Sequence, residues 1–148
     1  MVRIRPVDDD HQVVTVTSRS QDDASYCRRP CADCPWRKDA VGSFPPLAFK
    51  HSAETAFDMA THTFACHTAG TANTKICAGF LLRGADHNLT VRLRRMRGAI
   101  GNDVTDGGHE LHPGYRSMAV ANGVPADDPA LAGCRSSYLE EQQGDGHR

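Results

Sequence analysis

Six cysteines are the residues of this sequence best suited to chemistry, and four of them have spacing that suits a metal. Cys31 and Cys34 form a C-x-x-C pair, in which a tight turn can aim both sulfurs at one point. Cys66 and Cys77 are separated by a ten-residue spacer, so they come from two different elements. Together these thiolates supply the soft ligands that a metal centre needs. The pattern predicts one metal centre held by Cys31, Cys34, Cys66 and Cys77.

Two metal centres accept four thiolates. Zinc prefers a closed tetrahedron of sulfur ligands, and its binding contributes on the order of 10–16 kcal/mol to the folding of small zinc domains. A 4Fe-4S cluster also takes four cysteines, and the Cys34-Pro35 step would suit it. We predict Zn²⁺ and keep the iron–sulfur cluster as the alternative. His67 follows Cys66 directly, so it is a candidate alternative ligand or a hydrogen-bond donor to a sulfur.

Other interpretations of the cysteines are open. Cys66 and Cys77 could be ordinary buried thiols. Cys31 and Cys34 could form a thioredoxin-like redox pair, but Pro35 follows and no parallel-sheet pattern surrounds them. Cys27 extends the pair to C-x3-C-x2-C, the spacing of radical SAM enzymes, but no repeated β/α core accompanies it. Cys27 and Cys134 are therefore predicted to be spare thiols.

The sequence gives no strong case for an enzyme. It contains no glycine-rich phosphate loop, no H-E-x-x-H and no G-x-S-x-G. His109 and His112 stand only three residues apart in a glycine-rich segment. Four thiolates close the coordination shell of zinc, which favours a structural site. A metal-dependent enzyme would require that only three cysteines bind and that water takes the fourth position.

A basic helix is the second feature with a functional implication. Residues 83–97 carry five arginines and one acid, a local charge of +4. Guanidinium groups suit phosphates and carboxylates, so this helix is a candidate surface for nucleic acid or an acidic protein. Trp36 could stack on a base or cover the metal site, and Arg37 could extend the surface. The candidate binding residues are Arg83, Arg92, Arg94, Arg95, Arg97, Trp36 and Arg37.

Short elements are predicted to position these side chains. A strand is expected at Val13–Thr17 and an extended piece at Thr63–Cys66. Helices are expected over 46–60, 77–82, 87–97 and 113–122, from apolar residues at helical spacing and from flanking proline and glycine. The helix over 87–97 is predicted to begin at Asp86 and to bury the stripe Leu89, Leu93, Met96 and Ile100. A polar loop is expected at 67–75.

The whole chain suits one small domain. It has 148 residues, of which 39% are apolar and 6% aromatic, with a net charge of −1. The predicted class is α+β, mainly helical, a single domain organised around the four-cysteine site. Residues 1–25 are expected to form a polar arm with one strand, 26–124 the metal-binding domain, and 125–148 an acidic, partly disordered tail. No apolar run of membrane-spanning length and no signal-peptide pattern occur, so we expect a cytoplasmic protein with reduced thiols.

The cysteine frame also resembles a known family. The runs Pro30–Asp39, Phe64–His67 and Cys77–Phe80 resemble an uncharacterised family of small four-cysteine proteins from actinobacteria and their phages. The resemblance covers about Pro30 to Leu93. It implies a shared four-cysteine site in a bacterial or phage cell and brings no activity, substrate or catalytic residue.

The cysteine site and the basic helix together predict a regulatory or accessory protein that contacts nucleic acid or a protein of the transcription or replication machinery. The alternative is an iron–sulfur redox sensor or redox enzyme.

Overall fold

The fold is built from short helices and three short strands. The structure, a computed structural model, describes residues 2–6, 12–16, 26–66 and 75–145. In these ranges the strands are β1 (Val2–Pro6), β2 (Gln12–Val16) and β3 (Thr63–Phe64). The α-helices are α1 (Pro46–Ser52), α2 (Ala78–Arg83), α3 (Leu89–Met96), α4 (Tyr115–Ala121) and α5 (Tyr138–Asp145). Three 3₁₀ turns cover Lys38–Ala40, Ala53–Ala56 and Pro129–Leu131. The prediction of a small, mainly helical α+β domain is confirmed.

The strands form one antiparallel sheet in the order β1-β2-β3. β2 pairs with β1 along its whole length and with β3 through Thr15 and Val16. The strand predicted at Val13–Thr17 therefore exists, shifted by one residue, and it is the central strand of the sheet. β1 was not predicted, because Val2 to Pro6 has only two apolar side chains of strand-forming type between charged ones. The remaining predictions for the arm lie outside the described residues.

Trp36 is the centre of the core. Its side chain is completely buried and its ring lies edge-on to Phe64 and Tyr115, with centroid distances of 5.8 Å in both cases. Gly79 and Gly84 on α2 allow this packing: a Cβ atom at either position would come within 2.4 Å of a Trp36 carbon. Trp36 follows the C-x-x-C pair by two residues, so the predicted metal turn is tied directly to the core.

The predicted buried stripe of α3 is wrong. Val91 and Arg94 face inward, whereas Leu93 is 37% exposed and Met96 is 83% exposed. Of the predicted stripe only Ile100, beyond the helix, is fully buried. The helix is oriented by its N-terminus, where the Asn88 side chain accepts a hydrogen bond from the Val91 amide at 3.1 Å.

Asn88, not Asp86, is thus the N-cap of α3. Its side-chain nitrogen also donates to the carbonyls of Thr55 and His62, at 3.1 and 2.7 Å. A buried amide that makes three such bonds fixes where the helix starts and which face turns inward. Asp86 accepts a hydrogen bond from the backbone of Tyr138 instead, at the first residue of α5.

The C-terminal region needs a second correction. Residues 125–148 were expected to be an acidic, partly disordered tail, but in the described part of this range Leu131 is completely buried and α5 follows it. Arg135 donates its backbone N–H to the carbonyl of Ala56 at 3.0 Å, and Cys134 forms a bridge with Phe57. The prediction relied on the acidic composition of this region and overlooked a few apolar side chains that belong to the core. Within the described ranges, no helix is both long enough and apolar enough to cross a membrane.

Candidate metal centre

Two short extended segments bring Cys66 and Cys77 together. Ala65 and Ile76 form an antiparallel bridge, with hydrogen bonds from Cys66 N to the Lys75 carbonyl (2.7 Å) and from Cys77 N to the Phe64 carbonyl (2.9 Å). Side chains alternate between the two faces of extended backbone, so Cys66 and Cys77 both lie on the face opposite to that of Ala65 and Ile76. The ten-residue spacer therefore acts as the connection of a hairpin-like pairing, and it puts both sulfurs on one side.

The C-x-x-C pair forms a tight turn beside this pairing. Cys34 N donates to the Cys31 carbonyl at 3.2 Å, and Arg37 N donates to the Cys34 carbonyl at 3.0 Å. Backbone amides also reach the sulfurs: that of Asp33 donates to the Cys31 sulfur and that of Trp36 to the Cys34 sulfur. Amide hydrogen bonds of this kind stabilise the thiolate form that binds metal.

The four predicted sulfurs are brought together by a chain of contacts. The Cys34 and Cys77 sulfurs are 3.6 Å apart. Cys31 contacts both Cys34 and Cys66 through its thiol. These contacts connect the turn with both extended segments. Among the described residues, which include all four of these cysteines, no group of three or more histidine, cysteine, aspartate and glutamate side chains has an arrangement that could hold a metal ion, so metal binding stays a prediction.

Crowding of the thiols shifts their pKa values. The contact with Cys34 raises the pKa of Cys31, while the contact with Cys66 works in the opposite direction. For Cys34, the contact with Cys31 lowers the pKa, but Cys77 and burial outweigh it, and the net pKa lies well above its ordinary value. Neighbouring thiols thus resist losing their protons together. A divalent cation would supply the missing positive charge, so metal binding here would release protons.

One sulfur–sulfur distance can be compared with the two candidate centres. Two thiolates bound to one tetrahedral zinc with Zn–S bonds of about 2.3 Å lie roughly 3.8 Å apart. The observed 3.6 Å between Cys34 and Cys77 is close to that value. In a 4Fe-4S cluster each thiolate binds a different iron, and the separation of the irons spreads the sulfurs farther apart. This single distance is compatible with one tetrahedral ion, and the identity of the metal stays a prediction.

Cys27, which was predicted to be a spare thiol, is a fifth thiol in contact with this cluster. Its backbone N–H donates to the Ile76 carbonyl at 2.9 Å, and its thiol contacts Cys66. Burial raises the pKa of Cys27 to about 11, with a further contribution from Cys66. Only the C-x3-C-x2-C spacing hinted at this position. Cys134 lies elsewhere, where its thiol contacts the Ala53 carbonyl at 3.5 Å, and His67 lies outside the described residues.

The predicted binding surface is only partly present. Arg92, Arg95 and Arg97 are exposed on or just after α3, and Arg95 is held by a 2.7 Å hydrogen bond from Nη2 to the Leu81 carbonyl. Arg94, however, is 6% exposed and cannot contact a large ligand. Arg83 is half-buried, and its Nη1 donates to the Leu82 carbonyl at 3.3 Å.

The two other predicted contact residues belong to the turn. Trp36 is fully buried, so it cannot stack on a base, and its position in the core corrects that expectation. Arg37 makes two hydrogen bonds to the Asp39 carboxylate, at 2.5 and 2.8 Å, and a third to the Cys31 carbonyl at 3.2 Å. Its charge also interacts with Cys34 and Cys31. Arg37 therefore stabilises the turn and is not available to a partner.

The His109 to His112 segment does not form a second metal site. His112 is buried and burial lowers its pKa, with the charge of Lys38 adding to the effect. Glu110 pairs with Lys38 at 3.2 Å on the exposed side. His109 is half-buried, whereas His112 is buried.

Comparison with known proteins matches residues 26–135 to a family described as "Family of unknown function (DUF6283)". The match begins at the residue before Cys27 and ends after Cys134, so it includes all six cysteines. No curated protein and no solved structure matches the chain. Because the match spans most of the sequence, this chain belongs to the family of unknown function DUF6283.

Proposed function

We propose that this is a zinc-binding regulatory or accessory protein in which Cys31, Cys34, Cys66 and Cys77 hold one Zn²⁺. The observation that supports the proposal best is the 3.6 Å separation of the Cys34 and Cys77 sulfurs, which belong to distant parts of the chain. The actinobacterial or phage setting implied by the resemblance, and a cytoplasmic location, are part of this proposal.

Zinc at this position would act on stability rather than on a substrate. The turn and the two extended segments meet at the thiols, and Trp36 connects the turn to the core. A structural zinc contributes about 10–16 kcal/mol in small domains, which equals or exceeds the roughly 5–15 kcal/mol net stability of a typical domain. Loss of a single ligand is therefore expected to unfold the domain.

Metal analysis tests the zinc proposal. The protein should be isolated without added metal, under anaerobic conditions, and analysed for zinc, iron and colour. One zinc per chain and a colourless sample support the proposal. A brown sample containing iron and acid-labile sulfide would replace it with the iron–sulfur redox sensor or redox enzyme.

The regulatory role rests on the exposed basic residues of α3. Arg92, Arg95 and Arg97 surround Met96, which is 83% exposed. Arginine and methionine are both enriched at protein interfaces, and arginine also binds phosphate. We therefore propose that this face contacts a polyanionic partner, either nucleic acid or an acidic protein of the transcription or replication machinery.

Salt-dependent binding tests this role. Fluorescence anisotropy with labelled DNA and RNA at ~50 mM salt should show binding that weakens steeply as salt rises. The double variant Arg92→Ala/Arg97→Ala should weaken it, whereas Arg135→Ala, an exposed arginine paired with Asp58 elsewhere, should not. If no nucleic acid binds at low salt, the nucleic-acid role is dropped and an acidic protein becomes the remaining partner class.

A further inference from the structure

A second cleft lies outside the thiol cluster. It has a volume of about 410 Å³ and is lined by Arg28, Arg29, Pro30, Gly107 and His109. Small-ligand sites usually measure about 300–1,000 Å³, so this cleft is large enough for a small molecule. Two arginines and a histidine on its walls favour an anion as the occupant.

The walls of the cleft are fixed before any ligand arrives. Asp103 accepts hydrogen bonds from the Tyr26 hydroxyl and from Nε of Arg28, both at 2.6 Å. Thr105 N donates to the Arg28 carbonyl at 2.9 Å, so the two wall segments are also joined through the backbone. The Arg28 guanidinium lies over the Tyr26 ring at 4.7 Å. A preformed site of this kind loses little conformational entropy on binding.

Arg29 carries the positive charge of the cleft that is available to a ligand. Asp103 offsets the charge of Arg28 through a contact with Nε, and the Arg28 side chain also interacts with Tyr26. Arg29 is exposed, and none of the ion pairs found among the described residues involves it. The nearby Asp39 is already paired with Arg37, and Asp106 accepts from the Gly108 amide.

Gly107 lies between the side chains of Arg29 and His109. Its φ of +64° is one that side chains rarely adopt, and a Cβ atom there would lie 3.7 Å from Cδ of Arg29 and 3.6 Å from Cδ2 of His109. Without that Cβ, the Arg29 and His109 side chains border the same space. A guanidinium and an imidazole on either side of an open space suit a tetrahedral oxyanion.

We propose that this cleft binds the phosphate group of a small phosphorylated molecule, with Arg29 as the main charged contact and Arg28 and His109 as further donors. The proposal does not depend on zinc or on the α3 face. The phosphate could also come from a nucleic-acid backbone, and the size of the cleft favours the small molecule.

Isothermal titration calorimetry of the full chain tests this proposal with inorganic phosphate, a nucleoside monophosphate and a short oligonucleotide. We expect the nucleoside monophosphate to bind, Arg29→Ala to weaken its binding at least tenfold, and Arg29→Lys to restore part of the loss. Arg135→Ala, an exposed arginine distant in sequence, is the matched control and should bind as the wild type does.

Three results would overturn the proposal. The first is that neither phosphate nor the monophosphate binds at low salt. The second is that Arg29→Ala and Arg135→Ala weaken binding equally, which would indicate nonspecific attraction. The third is that only the oligonucleotide depends on Arg29, which would assign the cleft to a polymer backbone.

Discussion

The sulfur atoms of Cys34 and Cys77 lie 3.6 Å apart although 43 positions of sequence separate them. Cys34 comes from the C-x-x-C turn and Cys77 immediately precedes α2. Trp36 packs against Gly79 of the same helix, so the turn and α2 contact one another both at the sulfurs and in the core. A metal bound here would join two parts of the chain that the core already holds together.

Trp36 provides a spectroscopic test of that coupling. It is the sole tryptophan of the sequence, it is completely buried, and its backbone N–H donates to the Cys34 sulfur. We expect emission at short wavelength and little quenching by acrylamide in the native protein. A strong chelator should shift the emission to longer wavelength, and added zinc should reverse the shift. Emission that ignores the chelator would separate Trp36 from any metal.

Gly79→Ala should be strongly destabilising. The added Cβ would lie 2.4 Å from Cβ of Trp36, which cannot move without disturbing the turn. Overpacking of this kind typically costs about 1–3 kcal/mol, measured as a lower midpoint of urea unfolding. Gly101→Ala is the control, because its nearest neighbour is an oxygen of exposed Asp103 at 3.3 Å. Equal effects of the two substitutions would argue against the close packing of α2 on Trp36.

The orientation of α3 can be tested with two truncations. Val91→Ala removes buried methyl groups and should lower the free energy of unfolding by about 2 kcal/mol. Met96→Ala removes a larger side chain that is 83% exposed, and its effect should stay within about 0.5 kcal/mol. The stripe predicted from the sequence requires the opposite order, so the comparison decides between the two orientations.

The stability should also depend on pH through His112. Burial lowers the pKa of this side chain, and the charge of Lys38 lowers it further. The unfolded chain binds a proton here below about pH 6.5, whereas the folded chain resists protonation. The stabilising contribution is therefore complete above that pH and declines as the pH falls through the folded pKa.

His112→Asn should reduce this pH dependence. Between about pH 7 and pH 5.5, the free energy of unfolding should fall more steeply in the wild type than in His112→Asn. The difference between the two slopes is at most about 1.4 kcal/mol per pH unit, the value for one proton. Any contribution from protonated thiols is common to both proteins and cancels in the comparison. Identical slopes in the two proteins would show that His112 titrates alike in both states.

The sequence was sufficient for the positions of several helices, but not for β1, for α5 or for the orientation of α3. Proline and glycine marked the start of α1 and the bounds of α2 and α4 within a few residues, because these residues act on the local backbone. The predicted end of the first helix at residue 60 was wrong, since α1 ends at Ser52 and a 3₁₀ turn follows over Ala53–Ala56. The inward face of α3 is set by the buried contacts of Asn88 with Thr55 and His62, and neither contact has a local signal. Arginine at position 94 also looked like a surface residue, although its long aliphatic stem can be buried.

The candidate site was predictable in part for a related reason. The C-x-x-C turn is a local pattern, so Cys31 and Cys34 could be found from spacing alone. Cys66 and Cys77 could be proposed only by count, because their pairing depends on the Ala65–Ile76 bridge. Cys27 was predicted to be a spare thiol. Its contact with Cys66 could not be predicted, because it depends on a parallel bridge between Tyr26 and Ile76 that has no local sequence signal.

Cysteine substitutions separate the four predicted ligands from Cys27. Cys66→Ser should abolish zinc binding, whereas Cys27→Ser should retain one zinc per chain with a modest loss of affinity. The physical reason is that four thiolates already complete the tetrahedral shell of zinc, so a fifth thiol can act only as a neighbour. Metal content after gel filtration is the measurement. If Cys27→Ser lost zinc and Cys66→Ser retained it, Cys27 would be the zinc ligand and Cys66 the neighbouring thiol.

Native mass spectrometry of the intact, unsubstituted chain measures metal occupancy and folding in one experiment. The four-thiolate site predicts a compact charge-state distribution. The expected mass is that of one chain plus one zinc ion minus two protons, because thiols lose protons when zinc binds. It also predicts that Cys34→Ser appears metal-free and unfolded, while Cys134→Ser keeps its zinc. A compact wild-type protein that carries no metal would contradict the site, and Cys34 and Cys77 would then be two buried thiols in ordinary contact.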